Sequence, residues 1–173
     1  MSITFSPPAS WAPYATAAAV IFAGALFVNA LAVPNMLSHD QLHYEVIRLK
    51  VQQPDLFIRD PLFADTSYQR HYIPFLDLLA RVNRSTGGSE NSYRLFVPLA
   101  FFVFTFGMFL FLYAQGISLA ISIGVAFLST VFIRVLMDYF GIPGPSDIVP
   151  RFLALPLYPY LFLLFYRYAA RAW

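Results

Sequence analysis

Four stretches of the chain are apolar over about the length of a membrane-crossing helix, and most polar positions lie between them. An α-helix needs about 20 mainly apolar residues to cross the hydrocarbon core of a bilayer. The pattern therefore predicts an all-α, polytopic membrane protein with four transmembrane helices. The predicted spans are Trp11–Val33, Leu95–Tyr113, Ile117–Asp138 and Phe152–Tyr166.

The first span has a second interpretation, a cleaved signal peptide, because Ala30-Leu31-Ala32 resembles a small-residue cleavage site. Two features favour a retained span. The preceding MSITFSPPAS carries no positive charge, and the apolar stretch is longer than the core of a signal sequence. Trp11 and Tyr14 suit a membrane interface.

The second and third spans are separated by the very short sequence Ala114-Gln115-Gly116, which predicts an antiparallel helical hairpin. The fourth span is short and contains Pro156 and Pro159. Proline is tolerated inside a span where neighbouring helices satisfy the freed carbonyl groups.

A loop of about sixty residues, Pro34–Tyr93, joins the first two spans and contains seven of the nine acidic residues and all three histidines. Its apolar periodicity predicts two amphipathic helices, Asp40–Val51 and Pro74–Arg84, that lie along the membrane surface. In the first, Leu42 and Val46 belong to the apolar stripe. The STGG sequence at 85–88 ends the second. The chain thus divides into three parts. Residues 1–33 hold the N-terminus and the first span, residues 34–93 the loop with its amphipathic helices, and residues 94–173 the other three spans.

Composition agrees with a lipid environment. The chain is 59% hydrophobic and 12% charged, and its mean hydropathy is +0.63, whereas soluble domains carry about 25% charged residues. The absence of cysteine excludes disulfides, thiolate metal sites and a cysteine nucleophile. A net charge of +2 is too small to indicate nucleic-acid binding.

Membrane orientation stays open at this point. The side of the membrane that carries the long loop holds eight of the eleven Lys and Arg residues when Arg94 and Arg151 are included. By simple counting this favours a cytoplasmic location for the loop. The counting rule weakens for loops near sixty residues and for folded segments.

The densest polar cluster follows the first span. Ser38 and Gln41 have the spacing of a capping box, and Asp40 then lies in the first helical turn, where the helix dipole favours its ionised form. His43 and Tyr44 follow at i+3 and i+4 on the same face, away from the apolar stripe. The alternative interpretation is a plain helix start with interfacial side chains, and no third ligand accompanies the histidines for a zinc site.

The sequence Asp40-Gln41-Leu42-His43-Tyr44 resembles the D-E-x-H-[FY] motif of the GT-C class of membrane glycosyltransferases, which includes protein O-mannosyltransferases and lipid A aminoarabinose transferases. It departs from the motif at Gln41, where many relatives carry glutamate. The layout of a first span, a large outward loop and a return span is also similar, as are DPLFAD at 60–65 and PRFLALPL at 150–157.

The resemblance implies transfer of a sugar from a polyprenyl-phosphate-linked donor to an extracytoplasmic acceptor, with Asp40 as catalytic base. It implies substrate contacts at His43, Tyr44, Asp147 and Arg151. Bound metal is not supported, because no DxD pair accompanies Asp147, and no cofactor is expected. Arg151 has the alternative of anchoring the fourth span at the lipid headgroups.

The same resemblance implies the plasma membrane of a bacterium, an extracytoplasmic first loop, membrane lipid as a partner, and no nucleic acid. Enzymes of this class have eight or more spans, so the chain is expected to be the N-terminal portion of a longer protein. Two other functions stay open. One is a non-catalytic small membrane protein or assembly partner, and the other is a transporter subunit, against which the nearly uncharged spans and the lack of repeats argue.

Overall fold

The computed structural model describes residues 10–32, 39–53, 55–56, 73–139 and 154–172. Within these ranges the chain is helical and contains no β-strand, which confirms the all-α prediction. The described helices are α1 (Ala12–Ala32), α2 (His39–Gln52), α3 (Ile73–Thr86), α4 (Ser89–Tyr113), α5 (Leu119–Tyr139), a 3₁₀ turn (Leu155–Leu157) and α6 (Tyr158–Ala172).

Helix α4 is the centre of the bundle and packs against α1, α3, α5 and α6. It runs antiparallel to α1. Tyr14, near the start of α1, packs edge-on against Tyr113 at the end of α4, with ring centroids 5.5 Å apart. Further along, Phe22 of α1 meets Phe102 of α4 at 5.8 Å.

Helix α6 runs parallel to α4. The hydroxyl of Tyr160 donates a hydrogen bond to the Val103 carbonyl over 2.9 Å, and eight residues further along α4 the Phe111 ring lies 6.3 Å from that of Tyr166. Because α5 turns back from α4, the four long helices alternate in direction along the chain. Such alternation is what successive crossings of one bilayer require.

The turn between α4 and α5 forms at the predicted residues. The Ala114 N–H donates to the Leu110 carbonyl, and the Gly116 N–H donates to Tyr113, each over 3.0 Å. Gly116 has φ +81°, a left-handed conformation that glycine adopts without steric penalty. The antiparallel hairpin is confirmed, and this end of the bundle is called the short-turn end below.

Small and hydroxyl-bearing residues lie in the contacts between the long helices together with buried rings such as Phe109, while many other large apolar residues face outward. On α5 the buried residues Ser122, Ala126 and Thr130 recur every fourth position. Outward-facing side chains, each about half exposed or more, include Phe22, Phe27, Leu95, Leu99, Ile121, Leu128, Phe162, Leu164 and Phe165. Small residues at interfaces are typical of helix packing in membranes, where lipid solvates the large apolar side chains.

Two glycines permit close approach of neighbouring helices. A β-carbon at Gly24 of α1 would lie 2.6 Å from the ring of Phe127 in α5. A β-carbon at Gly107 of α4 would lie 2.6 Å from the Tyr160 ring and 3.0 Å from Pro159 Cβ. Side chains from α5 and α6 therefore occupy the space that any larger residue would need.

The fourth apolar helix differs from its predicted bounds. Phe152 lies outside the described residues, the helical segment starts with the 3₁₀ turn at Leu155, and α6 continues six residues past Tyr166 to Ala172. Pro156 and Pro159 thus stand at helix starts rather than inside a span. Proline is favoured there because the first N–H groups of a helix have no intrahelical acceptor.

One stretch among the described residues, Arg94–Tyr113, is long and apolar enough to cross a membrane. Ala12–Phe27 and Leu119–Thr130 are shorter apolar stretches within the described part of the chain. A buried core helix of a soluble protein can satisfy the same length and composition criteria, so four crossings remain a prediction.

The two amphipathic helices of the long loop form where the periodicity predicts them. Helix α2 begins at His39 and α3 runs from Ile73 to Thr86. The predicted end of α3 is also confirmed, because Gly87 adopts φ +82° directly after its last residue. Helix α3 packs against both α2 and α4 and so connects the loop to the central helix.

Candidate functional site

The candidate site begins at the start of α2, seven residues after α1 ends. Asp40, His43 and Tyr44 occupy the first two turns of this helix, as the motif predicts. Their i, i+3, i+4 spacing brings them to one side of the helix. Ser38, the predicted cap, lies outside the described residues.

The same side of α2 is buried one turn later, at Ile47. Ile47 follows Asp40 by seven residues, His43 by four and Tyr44 by three, so it shares their side of the helix, and it is fully buried. Val46, in the predicted apolar stripe, is only partly buried. The sequence analysis did not single out Ile47, although its i+7 spacing from Asp40 was a usable signal.

Glu45 and Arg48 form a buried ion pair one turn beyond the polar cluster, and the sequence analysis did not single out either residue. Arg48 Nε donates to Glu45 Oε2 over 2.8 Å, and Glu45 is only 8% exposed. Arg48 Nη1 also donates to Gln52 Oε1 over 2.6 Å. The E-x-x-R spacing in the sequence is the signal that indicates this pair.

The end of α2 is held to the segment that follows it. Lys50 Nζ donates to the Leu56 carbonyl over 2.7 Å, and the Leu56 N–H donates to Gln53 over 2.9 Å. The cationic side chain thus stabilises a turn rather than extending into solvent. Together with the Glu45–Arg48 ion pair, the Lys50 hydrogen bond stabilises the part of α2 that follows the candidate catalytic residues.

A hydrogen-bonded corner joins α3 to α4. The hydroxyl groups of Thr86 and Ser92 lie 2.9 Å apart, and Ser92, which is fully buried, donates to the Gly88 carbonyl over 3.1 Å. Asn91 Nδ2 donates to the Thr86 carbonyl over 2.8 Å. These bonds satisfy backbone groups that helix ends leave without intrahelical partners.

Asn83 is the polar exception on the buried face of α3. Its side chain is 9% exposed, and neither amide atom has a hydrogen-bond partner. A buried polar group without a partner costs about 1–3 kcal/mol. Thr105 of α4 is similar, with a buried hydroxyl that lacks a partner.

Asp40, His43 and Tyr44 share one side of α2 by their positions along the helix. The other two predicted substrate contacts, Asp147 and Arg151, lie outside the described residues. In the part of the chain that the structure describes, no group of three or more His, Asp or Glu side chains is arranged to hold a metal ion.

No protein-family model, no curated protein and no solved structure matches the chain. The functional interpretation therefore depends on the residues and geometry of this chain.

Proposed function

We propose that the chain is an integral membrane protein in which α1, α4, α5 and α6 cross the bilayer, while α2 and α3 lie at one membrane surface. The alternating helix directions and the outward-facing Phe, Leu and Ile side chains support this arrangement. Exposure of each such side chain to water would be unfavourable, because removal of apolar surface from water contributes about 25 cal/mol per Å². In lipid the same surface is solvated.

Aromatic residues at the short-turn end support the same placement. Trp11, Tyr14 and Tyr113 form a cluster there, with ring centroids 5.9 Å apart for Trp11–Tyr14. Trp and Tyr are enriched at membrane interfaces because one part of the ring is apolar and the other polar. The cluster marks one interface, and the polar segment with α2 and α3 marks the other.

We further propose that the α2 segment carries out glycosyl transfer from a polyprenyl-phosphate-linked sugar to an extracytoplasmic acceptor. The observation that carries this proposal is the shared side of α2: Asp40, His43 and Tyr44 lie on the side whose next turn, at Ile47, is fully buried. A carboxylate that acts as a base works best at a site partly shielded from bulk water, and the burial of Ile47 one turn later on this side supports the assignment.

In the proposed reaction Asp40 removes the proton from the acceptor hydroxyl as its oxygen attacks the anomeric carbon. The bond from that carbon to the phosphate oxygen breaks, and the carrier leaves as a polyprenyl phosphate. Arg151 compensates the charge that develops on the leaving phosphate. His43, Tyr44 and Asp147 contact the substrates.

The test is the substitution Asp40→Asn in the native full-length protein, assayed in membranes by the consumption of radiolabelled polyprenyl-phosphate sugars. Removal of a general base is expected to lower the rate by about 100-fold or more. Asp77→Asn is the matched control, because Asp77 is an exposed carboxylate on α3. Equal rates in both variants would contradict the assignment of Asp40.

The mass of the native product is measured on the same membranes with an antibody against the loop 34–93. A product much heavier than 19.6 kDa is expected, since enzymes of the proposed class have more than four membrane-spanning helices. A 19.6 kDa product with no transfer activity would favour a non-catalytic assembly partner instead.

A further inference from the structure

Helix α3 is joined to α4 by two glycines that both have positive φ angles. Gly87 has φ +82° and Gly88 has φ +152°, conformations that residues with a β-carbon rarely adopt. A β-carbon built at Gly88 meets no described atom within 4 Å, so backbone conformation rather than close packing explains the glycine. Small residues at the end of a helix are a common place for a hinge, because they absorb large changes in φ and ψ.

Two hydrogen-bonded contacts across this corner hold α3 against α4. The Thr86 hydroxyl at the end of α3 lies 2.9 Å from the Ser92 hydroxyl of α4. Asn91 Nδ2 of α4 donates to the Thr86 carbonyl over 2.8 Å. Rotation about the two glycines would separate these groups, so the contacts, called the corner latch below, favour the closed position of α3.

One group on the buried side of α3 opposes the closed position. Asn83 is 9% exposed, and its amide nitrogen and oxygen both lack a partner. A buried amide without partners loses the hydrogen bonds that water would supply, so it destabilises the packed arrangement. When α3 moves away from α4, water can reach both atoms. Asn83 therefore favours opening, whereas the corner latch favours closure.

The apolar residues that opening would uncover have a second favourable environment. Phe75, Leu76, Leu79 and Ala80 form the rest of the buried side of α3. Exposure of this side to water would be unfavourable, but an amphipathic helix at a membrane surface buries its apolar side at the boundary of the acyl chains. Because we propose that α3 lies at such a surface, its apolar side can pass from protein to lipid.

We infer that α3 is a lid on the start of α4, hinged at Gly87 and Gly88, held closed by the corner latch and made easier to open by the unpaired Asn83 amide. This inference depends on the proposed membrane placement of α3. Helix α3 also packs against α2, so opening removes a packing partner of the helix that carries the candidate catalytic residues. The motion gives a lipid-linked substrate a route to α2 from the membrane surface.

The experiment measures how fast a buried cysteine on α3 reacts with N-ethylmaleimide in the full chain, reconstituted in lipid nanodiscs. The chain has no native cysteine, so Ala80→Cys introduces its only thiol. Ala80 is 8% exposed, and reaction at this position requires the lid to open. Ala126→Cys, at a fully buried position of α5, is the control. It is expected to react far more slowly, because it becomes accessible only when the bundle unfolds.

Two further substitutions should change the reaction rate of Ala80→Cys in opposite directions. Asn83→Leu is expected to slow it roughly tenfold, because the group that opposes closure is removed. Ser92→Ala is expected to speed it about fivefold, because the corner latch loses one hydroxyl. The matched controls, expected to leave the rate unchanged, are Arg84→Leu on the exposed side of α3 and Ser85→Ala, whose hydroxyl bonds within α3.

Equal reaction rates for Ala80→Cys and Ala126→Cys would overturn the lid, because α3 would then stay closed until the whole bundle unfolds. Hydrogen exchange separates a moving lid from local unfolding. The α3 amides should stay protected while Ala80→Cys reacts, and their exchange at the same rate would mean that α3 unfolds instead of turning. Alkaline extraction of native membranes tests the placement separately: a protein that resists extraction while both cysteines react equally contradicts the lid alone.

Discussion

Tyr160 of α6 donates its hydroxyl hydrogen bond to the backbone carbonyl of Val103 in α4 over 2.9 Å, and these residues are 57 positions apart in the chain. The carbonyl already lies within a regular helix, so the bond uses its second lone pair. It is the polar contact that aligns α6 with the central helix, and it carries the first prediction.

Removal of this hydroxyl is expected to weaken the contact between α6 and α4. Tyr160→Phe should lower the free energy of unfolding in detergent by about 0.5–1.5 kcal/mol, the usual net contribution of one intramolecular hydrogen bond. Tyr158→Phe is the control, because Tyr158, two residues earlier, is 48% exposed. Equal stability of the two variants would show that the bond contributes nothing.

Two helical glycines should respond in opposite directions to alanine. Gly107→Ala is expected to destabilise the bundle by about 1–3 kcal/mol, since the added methyl group overlaps the Tyr160 ring, which its hydroxyl bond holds in position. Gly124→Ala should stabilise α5 by about 0.5–1 kcal/mol. No described atom lies within 4 Å of the added methyl group, and alanine lowers the conformational entropy of the unfolded chain. Thermal unfolding in one detergent measures both, and a destabilising Gly124→Ala would indicate a neighbour on that face.

Replacement of the buried amide on α3 is expected to be favourable. Asn83→Leu should raise the free energy of unfolding by about 1–2 kcal/mol, because it removes two unpaired polar atoms from an apolar face. Asn91→Leu, which loses the bond to the Thr86 carbonyl, should instead lower stability slightly. A loss of stability in Asn83→Leu would contradict the view that the buried Asn83 amide is unfavourable.

The ion pair behind the candidate site should determine how well α2 is ordered. Arg48→Met leaves the buried Glu45 carboxylate without this guanidinium, so the local stability of α2 should fall by about 1.5–3 kcal/mol. Hydrogen exchange along α2 measures the change. Arg81→Met on the exposed side of α3 is the matched control, and similar exchange in both variants would contradict a supporting role for the pair.

Most of the helices follow from local pattern. The apolar runs predict α1 and α5 to within about two residues, whereas α4 begins at Ser89, six residues before its predicted start at Leu95. The glycines at 87 and 116 mark where α3 ends and the hairpin turns, because each stands at a left-handed position. The start of α6 was misplaced because Pro156 and Pro159 were interpreted as interior residues. An apolar run does not distinguish a helix start from a span that continues through proline.

The arrangement of the helices was less predictable. The close packing of α6 on α4 depends on Gly107, and that of α1 on α5 depends on Gly24, because at each the absence of a side chain admits a ring from a helix distant in sequence. Similarly, the spacing that puts Asp40, His43 and Tyr44 on one side of α2 was predictable, but the burial of Ile47 one turn later depends on packing against other segments. Contacts between distant segments decide both, and periodicity within one segment does not contain that information.

The central position of α4 has a consequence for assembly during synthesis. About 56 residues separate the end of α1 at Ala32 from the start of α4 at Ser89, so at about 5–20 residues per second α1 waits roughly 3–11 s for its main packing partner. On the proposed membrane placement, α1 remains in the bilayer alone during that interval, and its lack of charged residues suits it to do so. Helix α5, by contrast, leaves the ribosome directly behind its own partner, so the hairpin can form first and then capture the waiting helix.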